Sequence, residues 1–245
     1  MGVIIKTIKA RGLVLKEYET GEADKRLLLL CKGYGRLFVY ARGARKPKSK
    51  LLACAQIFTY ADYILAEGRG FRSVNQAEII ENFYDIRKDY DSLVAAHSIT
   101  EVCEKSLLED MPADELLQLA LKALSLLSKG KFPALQVSSV FLIRCVSWYG
   151  FAPEVENCGV CVKPIDEMSK ILFSAEGVTC ADHEYDKMPP VPFIISKSAA
   201  FALRHIVLSD LSQSFSFKAS ESVISELHKI GRALWNRHFD RDLTG

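Results

Sequence analysis

RLLLLCKGYGRLFVYARG, residues 26 to 43, decides how the first third of this chain folds. Two runs of Leu, Val, Phe and Tyr flank KGYG, whose glycines permit a tight turn, and the second run alternates residue types along its length. Such a pattern predicts paired strands and not a helix. Working outward, IIKTIKARGLVLKEY precedes the pair, while QIFTYADYILAEG and GFRSVNQAEII follow it around an EGRG turn. Five strands with no helical period between them predict a small closed or nearly closed barrel over residues 1–80, since closure removes unpaired strand edges. Within the third strand Phe38 and Tyr40 share one face, and Leu37 and Val39 the other. One set fills the barrel, and the sequence leaves open which.

After about residue 82 the period becomes helical. DYDSLVAAHSITEVCEKSLLED carries one apolar stripe. PADELLQLALKALSLLSKG places Pro112 in a first turn, with acids after it and Lys129–Gly130 closing the end. PALQVSSVFLIRCVSWYG is apolar nearly all round and predicts the central helix of this part. Helices resume at SKSAAFALRHIVLS, with Ser196 as a cap, and at SESVISELHKIGRALWNRHF. Between them, residues 154–190 lose the helical period and gain cysteine, proline and glycine. The expectation is two domains, a barrel at 1–80 and a helical domain at 81–245 with an insertion at about 154–190.

With 245 residues, 49% of them hydrophobic, the chain can bury a substantial core. The opening MGVIIKTIKARG is broken by Lys6 and Lys9, and no apolar run approaches the ~18 to 20 residues of a membrane span. No membrane association and a cytoplasmic location are expected. Of seven cysteines, Cys31, Cys54, Cys103 and Cys145 sit singly in apolar segments, as buried thiols do.

Charge is distributed unevenly. Between Asp24 and Asp62 there is no acid, yet Lys25, Arg26, Lys32, Arg36, Arg42, Arg45, Lys46, Lys48 and Lys50 all fall there. The whole chain sums to +2, so the remainder carries −7. Aromatic residues interleave with the cations: Tyr34, Phe38 and Tyr40 within the run, Phe58, Tyr60 and Phe71 beside it. Cationic loops with ring faces on a small barrel suit single-stranded nucleic acid, the cations tracking phosphates and the rings stacking bases. A solvated face is the competing reading of the loop alone. A nucleotide cradle is excluded, because GARKPKS lacks the second glycine of a phosphate-binding loop. Motifs of zinc deaminases, HExxH proteases and GxSxG hydrolases are also missing, and no enzyme activity is expected.

The sharpest chemical motif is CGVC at 158–161 followed by CADH at 180–183, two short pairs separated by 18 residues. Cys158, Cys161, Cys180 and His183 at this spacing fit one tetrahedral zinc with no open position, hence a structural ion. A redox CxxC is the alternative reading, but redox chemistry would not call for the second pair.

Two of these segments resemble a known family. GLVLKEY, the GEAD turn and ARGARKPKSKLLACAQIFTYADY resemble the amino-terminal half of the bacterial RecO recombination mediators, and FLIRCVSWYGFAPEVENCGVC followed by FSAEGVTC resembles their helix and zinc segment. The resemblance covers most of the chain and implies an α+β protein. An amino-terminal five-stranded OB-fold barrel would be followed by an all-helical domain with a zinc-binding insertion. It further implies binding of single- and double-stranded DNA, annealing of complementary strands, association with RecR and with the C-terminal tail of single-strand binding protein, and help in loading RecA during recombinational repair. The nucleoid of the bacterial cytoplasm would be the setting. Carried over by position, the glycine-basic run falls on Gly43, Arg45, Lys46, Lys48 and Ser49, and the ligands on Cys158, Cys161, Cys180 and His183. The family often has cysteine where His183 stands. Candidate DNA-binding residues are Lys25, Arg26, Arg36, Tyr40, Arg42, Arg45, Lys46, Lys48 and Lys50; candidates for the acidic tail are Lys122, Lys129 and Arg144. The rival function is an OB-fold RNA-binding or ribosome-associated zinc protein.

Overall fold

Strand β1, Lys6–Thr20, is long enough to serve two neighbours: its first half pairs with β4 (Tyr60–Glu67) and its second with β2 (Asp24–Cys31). A register shift between Val14 and Lys16 bends it between them. At the crossover Gly12 is opposite both Cys31 and Ala61. A Cβ there would stand 2.6 Å from the Cys31 sulfur, so only glycine lets the strands approach. β3 (Gly35–Ala41) and β5 (Arg72–Glu81) complete the order β1-β2-β3-β5-β4, an OB-like sheet that closes on itself. The seam is thin, a single parallel pair of Tyr40 with Ser73. These elements come from a computed structural model that describes residues 6–68, 70–107, 111–174, 176–183, 192–239 and 243.

The barrel interior holds Val14, Leu27, Leu29, Leu37, Val39, Tyr63 and Leu65 with smaller residues. This settles the face of β3: Leu37 and Val39 are core, and Phe38 and Tyr40 are half-buried on the outside. Leu13, Leu15, Leu28 and Leu30 point away from that core yet are also fully buried. Their cover comes from α1 (Tyr90–Ser106), which packs on β1, and α2 (Asp114–Ser128), which packs on β2. The unbroken LLLL run is therefore a strand buried on both faces.

This packing explains why the first compact unit extends to Lys129 and not only to residue 80. The change from strands to helices falls where the period changes, but two helices belong with the barrel. Asp89 caps α1 by accepting from the Ser92 amide at 2.8 Å. Pro112 lies outside α2, which starts at Asp114 after Ala113, whereas Gly130, at φ 57°, ends it as expected.

The second unit spans Gly130–Gly245. Its centre is α3 (Ala134–Val146), buried along most of its length and packed against α4 (Lys197–Leu208) and α5 (Glu221–His238). Ser196 and Ser220 cap the latter two helices. The segment Ala134–Phe151 is long and apolar enough to cross a membrane by composition, but half of it is buried inside the fold, as a core helix is. Between α3 and α4, β6 (Ile171–Ser174), β7 (Gly177–Cys180) and β8 (Phe193–Ile195) form a three-stranded sheet of order β7-β6-β8. The insertion thus reaches past residue 190 to the edge of α4.

Candidate nucleic-acid interface and metal centre

On the outer face of the hairpin, β2 and β3 register Arg26 opposite Tyr40 and Leu30 opposite Arg36. The Arg26 guanidinium lies 4.1 Å from the centre of the Phe38 ring, and Arg36 lies 5.9 Å from it. Tyr40 meets Phe71 edge to face at 6.5 Å, and Arg42 stands over Phe71 at 5.8 Å. Cations and rings thus alternate across one surface, with Arg26 and Arg42 each set against a π face and exposed, and Arg36 half-buried beside Phe38.

The segment after β3 is no floppy loop. Successive turns close through Ala44 N–H to Ala41 at 3.3 Å, Lys46 to Gly43 at 3.1 Å, Ser49 to Lys46 at 2.9 Å and Leu52 to Ser49 at 3.2 Å. Ala44 is fully buried, and the Gly43 amide donates to Asp24 at 2.7 Å. Arg42, Arg45, Lys46, Lys48 and Lys50 remain exposed. No ion pair joins Lys46, Lys48 or Lys50 to a carboxylate among the described residues. Arg45 differs: it pairs with Glu19 at 2.9 Å and anchors the turn series to β1. Lys25 departs furthest from expectation. Its side chain is largely buried, pairs with Glu17 and donates to the Ala55 carbonyl at 3.3 Å, so it braces the fold.

In the second unit the four metal-ligand candidates converge. The sulfurs of Cys158, Cys161 and Cys180 and a ring nitrogen of His183 all lie within 4.8 Å of one another. Cys161 Sγ is 3.8 Å from Cys180 Sγ, and Cys158 Sγ is 3.5 Å from His183 Nε2. A tetrahedron with Zn–S bonds of about 2.3 Å and Zn–N bonds of about 2.0–2.1 Å has edges of about 3.8 Å and 3.5 Å. Those two separations match tetrahedral edges, and the remaining pairs lie within 4.8 Å.

Local backbone produces that convergence. Cys158 N–H donates to Lys163 at 2.8 Å and Val162 N–H to Cys158 at 2.9 Å, folding the first pair into a knuckle that turns through Val162 at φ 60°. Gly159 N–H donates to Val178 at 3.1 Å, tying the knuckle to the strand that ends in Cys180. Burial opposes ionisation of Cys158, but amides of Cys161, Cys180 and Val160 around its sulfur outweigh that and lower its thiol to about 6. Burial first, and then the neighbouring sulfurs, push Cys180 up to about 12. Three thiolates would need a cation among them to share this space, so the cluster could hold a metal ion.

The descriptions Recombination protein O N terminal and Recombination protein O C terminal match residues 5–83 and 87–244. The chain belongs to the RecO family. A DNA repair protein RecO of Acetivibrio thermocellus is 38% identical over 238 residues, covering 97% of this chain and 94% of that protein. Its namesake in Desulfitobacterium hafniense is 30% identical over 237 residues, covering 96% and 80%. That of Desulforamulus reducens is 29% identical, covering 98% and 92%. The RNA-binding alternative gains no support from these relatives. The two RecO matches meet between residues 83 and 87, at the strand-to-helix change, while the compact units divide at Lys129.

For the expected tail-binding set, Lys122 is half-buried and Lys129 exposed in the first unit. Arg144 lies in the second, where its Nη1 donates to the carbonyls of Ile206, Val207 and Ser209 at 3.2, 3.0 and 3.1 Å. It satisfies the carboxyl end of α4, a structural task that helical periodicity did not reveal. Phe38 and Phe71 carry the ring contacts of the cationic face, and Arg72 and Glu67 lie beside them. Alternation along β3 and the aromatic after the EGRG turn were their only sequence signal.

Proposed function

We propose that this RecO-family chain is a DNA-binding recombination mediator that anneals complementary single strands and helps load RecA on DNA coated with single-strand binding protein. The observation that carries the reading is the outer face of β2–β3 and the following turns. Arg26, Arg36 and Arg42 stack with Phe38 and Phe71, and the exposed Lys46, Lys48 and Lys50 continue the charge. Cations placed this way neutralise phosphates of single or double strands without reading base sequence. Two complementary strands repel through their phosphates, and a protein that screens both while leaving bases accessible lowers that barrier. Tyr40 and Arg45 belong to the same surface. The ring of Tyr40 supports Phe71, and Arg45 steadies the turns.

RecR, the acidic tail of single-strand binding protein and, indirectly, RecA are the proposed partners, in the bacterial cytoplasm at the nucleoid. Lys122 and Lys129 are proposed for the tail; for Arg144 the support is weaker, since three carbonyls already occupy its Nη1. Cys158, Cys161, Cys180 and His183 hold one structural Zn2+ in this reading, a closed site that staples the knuckle to β7. The test is annealing of complementary labelled strands without nucleotide, with and without single-strand binding protein. Faster annealing supports the reading, and a rate equal to that of free strands at saturating protein refutes it.

A further inference from the structure

Beside the rings, a cleft of about 360 Å³ opens on the outer face of the barrel, between β3 and the β4–β5 turn. Arg36 and Phe38 line one side, and Glu67, Gly68, Phe71 and Arg72 the other. Its volume is near the lower limit of small-molecule sites, enough for one planar ring system and too small for a base pair with its backbones. Phe71 is 44% exposed, a large ring left at the mouth of the cleft. Gly68 allows it to lie there: a Cβ at that position would stand 3.1 Å from the Phe71 ring, and the Gly68 amide donates to the Phe71 carbonyl at 2.9 Å, closing the turn. On the wall, Arg72 donates to Glu67 Oε1 through Nε at 3.1 Å and Nη2 at 3.0 Å, both side chains about one-third exposed, so a carboxylate and a guanidinium stand side by side in the cleft lining.

We infer that this cleft is a subsite for one unpaired nucleobase, stacked on Phe71 beside Phe38, with its polar edge on the Glu67–Arg72 pair. The inference rests on the DNA-binding reading above and adds to it a contact that charge alone would not supply. Every nucleobase offers an adjacent donor and acceptor on its pairing edge, so a carboxylate beside a guanidinium accepts any of the four. The subsite is sequence-tolerant for that reason. It also selects for strandedness, because a base engaged in a duplex shows neither its face nor its pairing edge. One captured base would hold a single strand in place while the cations follow its phosphates.

The experiment compares binding of the full chain to a single-stranded oligonucleotide and to the same strand with abasic sites, which keeps every phosphate and removes the bases. Wild type is expected to bind the abasic strand about ten-fold more weakly. Phe71→Ala is expected to bind both strands at the abasic level and Phe71→Trp to restore the preference. A 2-aminopurine in the strand should be quenched by wild type and not by Phe71→Ala. Equal wild-type binding of the two strands overturns the subsite while leaving the DNA-binding reading in place, and this comparison needs no variant. A base preference retained in Phe71→Ala overturns it as well. Failure to bind either strand defeats the DNA-binding reading together with the subsite.

Discussion

Replacing Lys46, Lys48 and Lys50 together by alanine removes three lysines of the turn series, none of which has a carboxylate partner among the described residues. If these act with Arg26, Arg36 and Arg42, six cations face phosphate. Each contact on a single strand contributes about 0.7 to the slope of log affinity against log salt, so the wild-type slope should be about −4 and that of the triple variant about −2. Between about 50 and 200 mM salt, wild type should lose about 300-fold in affinity and the variant about 20-fold. Arg45→Ala is the control: its guanidinium is already paired with Glu19, so it should shift the slope by less than one full contact, under about 0.7. Titration of a labelled single strand at several salt concentrations measures all three. An unchanged slope in the triple variant, or an equal effect from Arg45→Ala alone, would refute the assignment of the track to these lysines.

Cys180→Ser should lower bound zinc from one per chain toward none and destabilise the second unit, measured by metal analysis and by proteolysis between residues 157 and 183; full zinc retention would contradict a four-ligand site. Arg144→Met should cost about 2–3 kcal/mol in that unit by orphaning three carbonyls, with Arg144→Lys recovering part of it; chemical denaturation followed by Trp fluorescence reads the loss. Burial and the nearby Arg232 lower the pKa of His228, which sits half-buried on α5. The unfolded chain then takes up the proton first, so His228 contributes stability fully present above about pH 6.5 and lost as pH falls through its lower folded pKa. His228→Gln should flatten the acid side of the stability profile, and an unchanged profile would exclude this group as its cause.

The barrel was legible in the sequence because its signals are local: alternation along β3, glycine turns, and a change of period near residue 82. The metal cluster was legible for a similar reason, since two short pairs at fixed spacing carry most of the geometry. What escaped was set by tertiary contacts. LLLL gives no sign of being covered on both faces until α1 and α2 are seen to pack on β1 and β2, and that cover carries the first unit to Lys129. Lys25 and Lys46 are equivalent in composition, yet one is turned onto Glu17 and the other is exposed. A run of like charge reports a field; which members of the run meet a ligand depends on which acids the fold brings beside them.

That distinction bears on how one surface could both grip and release a strand. Contacts made by lysines on turns are worth little each and are screened by salt, so a strand held by them alone exchanges readily. Guanidinium groups laid on Phe38 and Phe71 are more fixed, because the rings limit their motion. Under the proposed function, a surface combining the two classes would hold a strand at a few rigid points and let the remainder slide, which is what a search for complementarity between two strands requires. Hardening the lysine segment, for instance Lys46→Arg with Lys48→Arg, should therefore raise affinity and slow annealing at saturating protein. Annealing that rose in step with affinity would show that exchange along the turns is not the limiting motion.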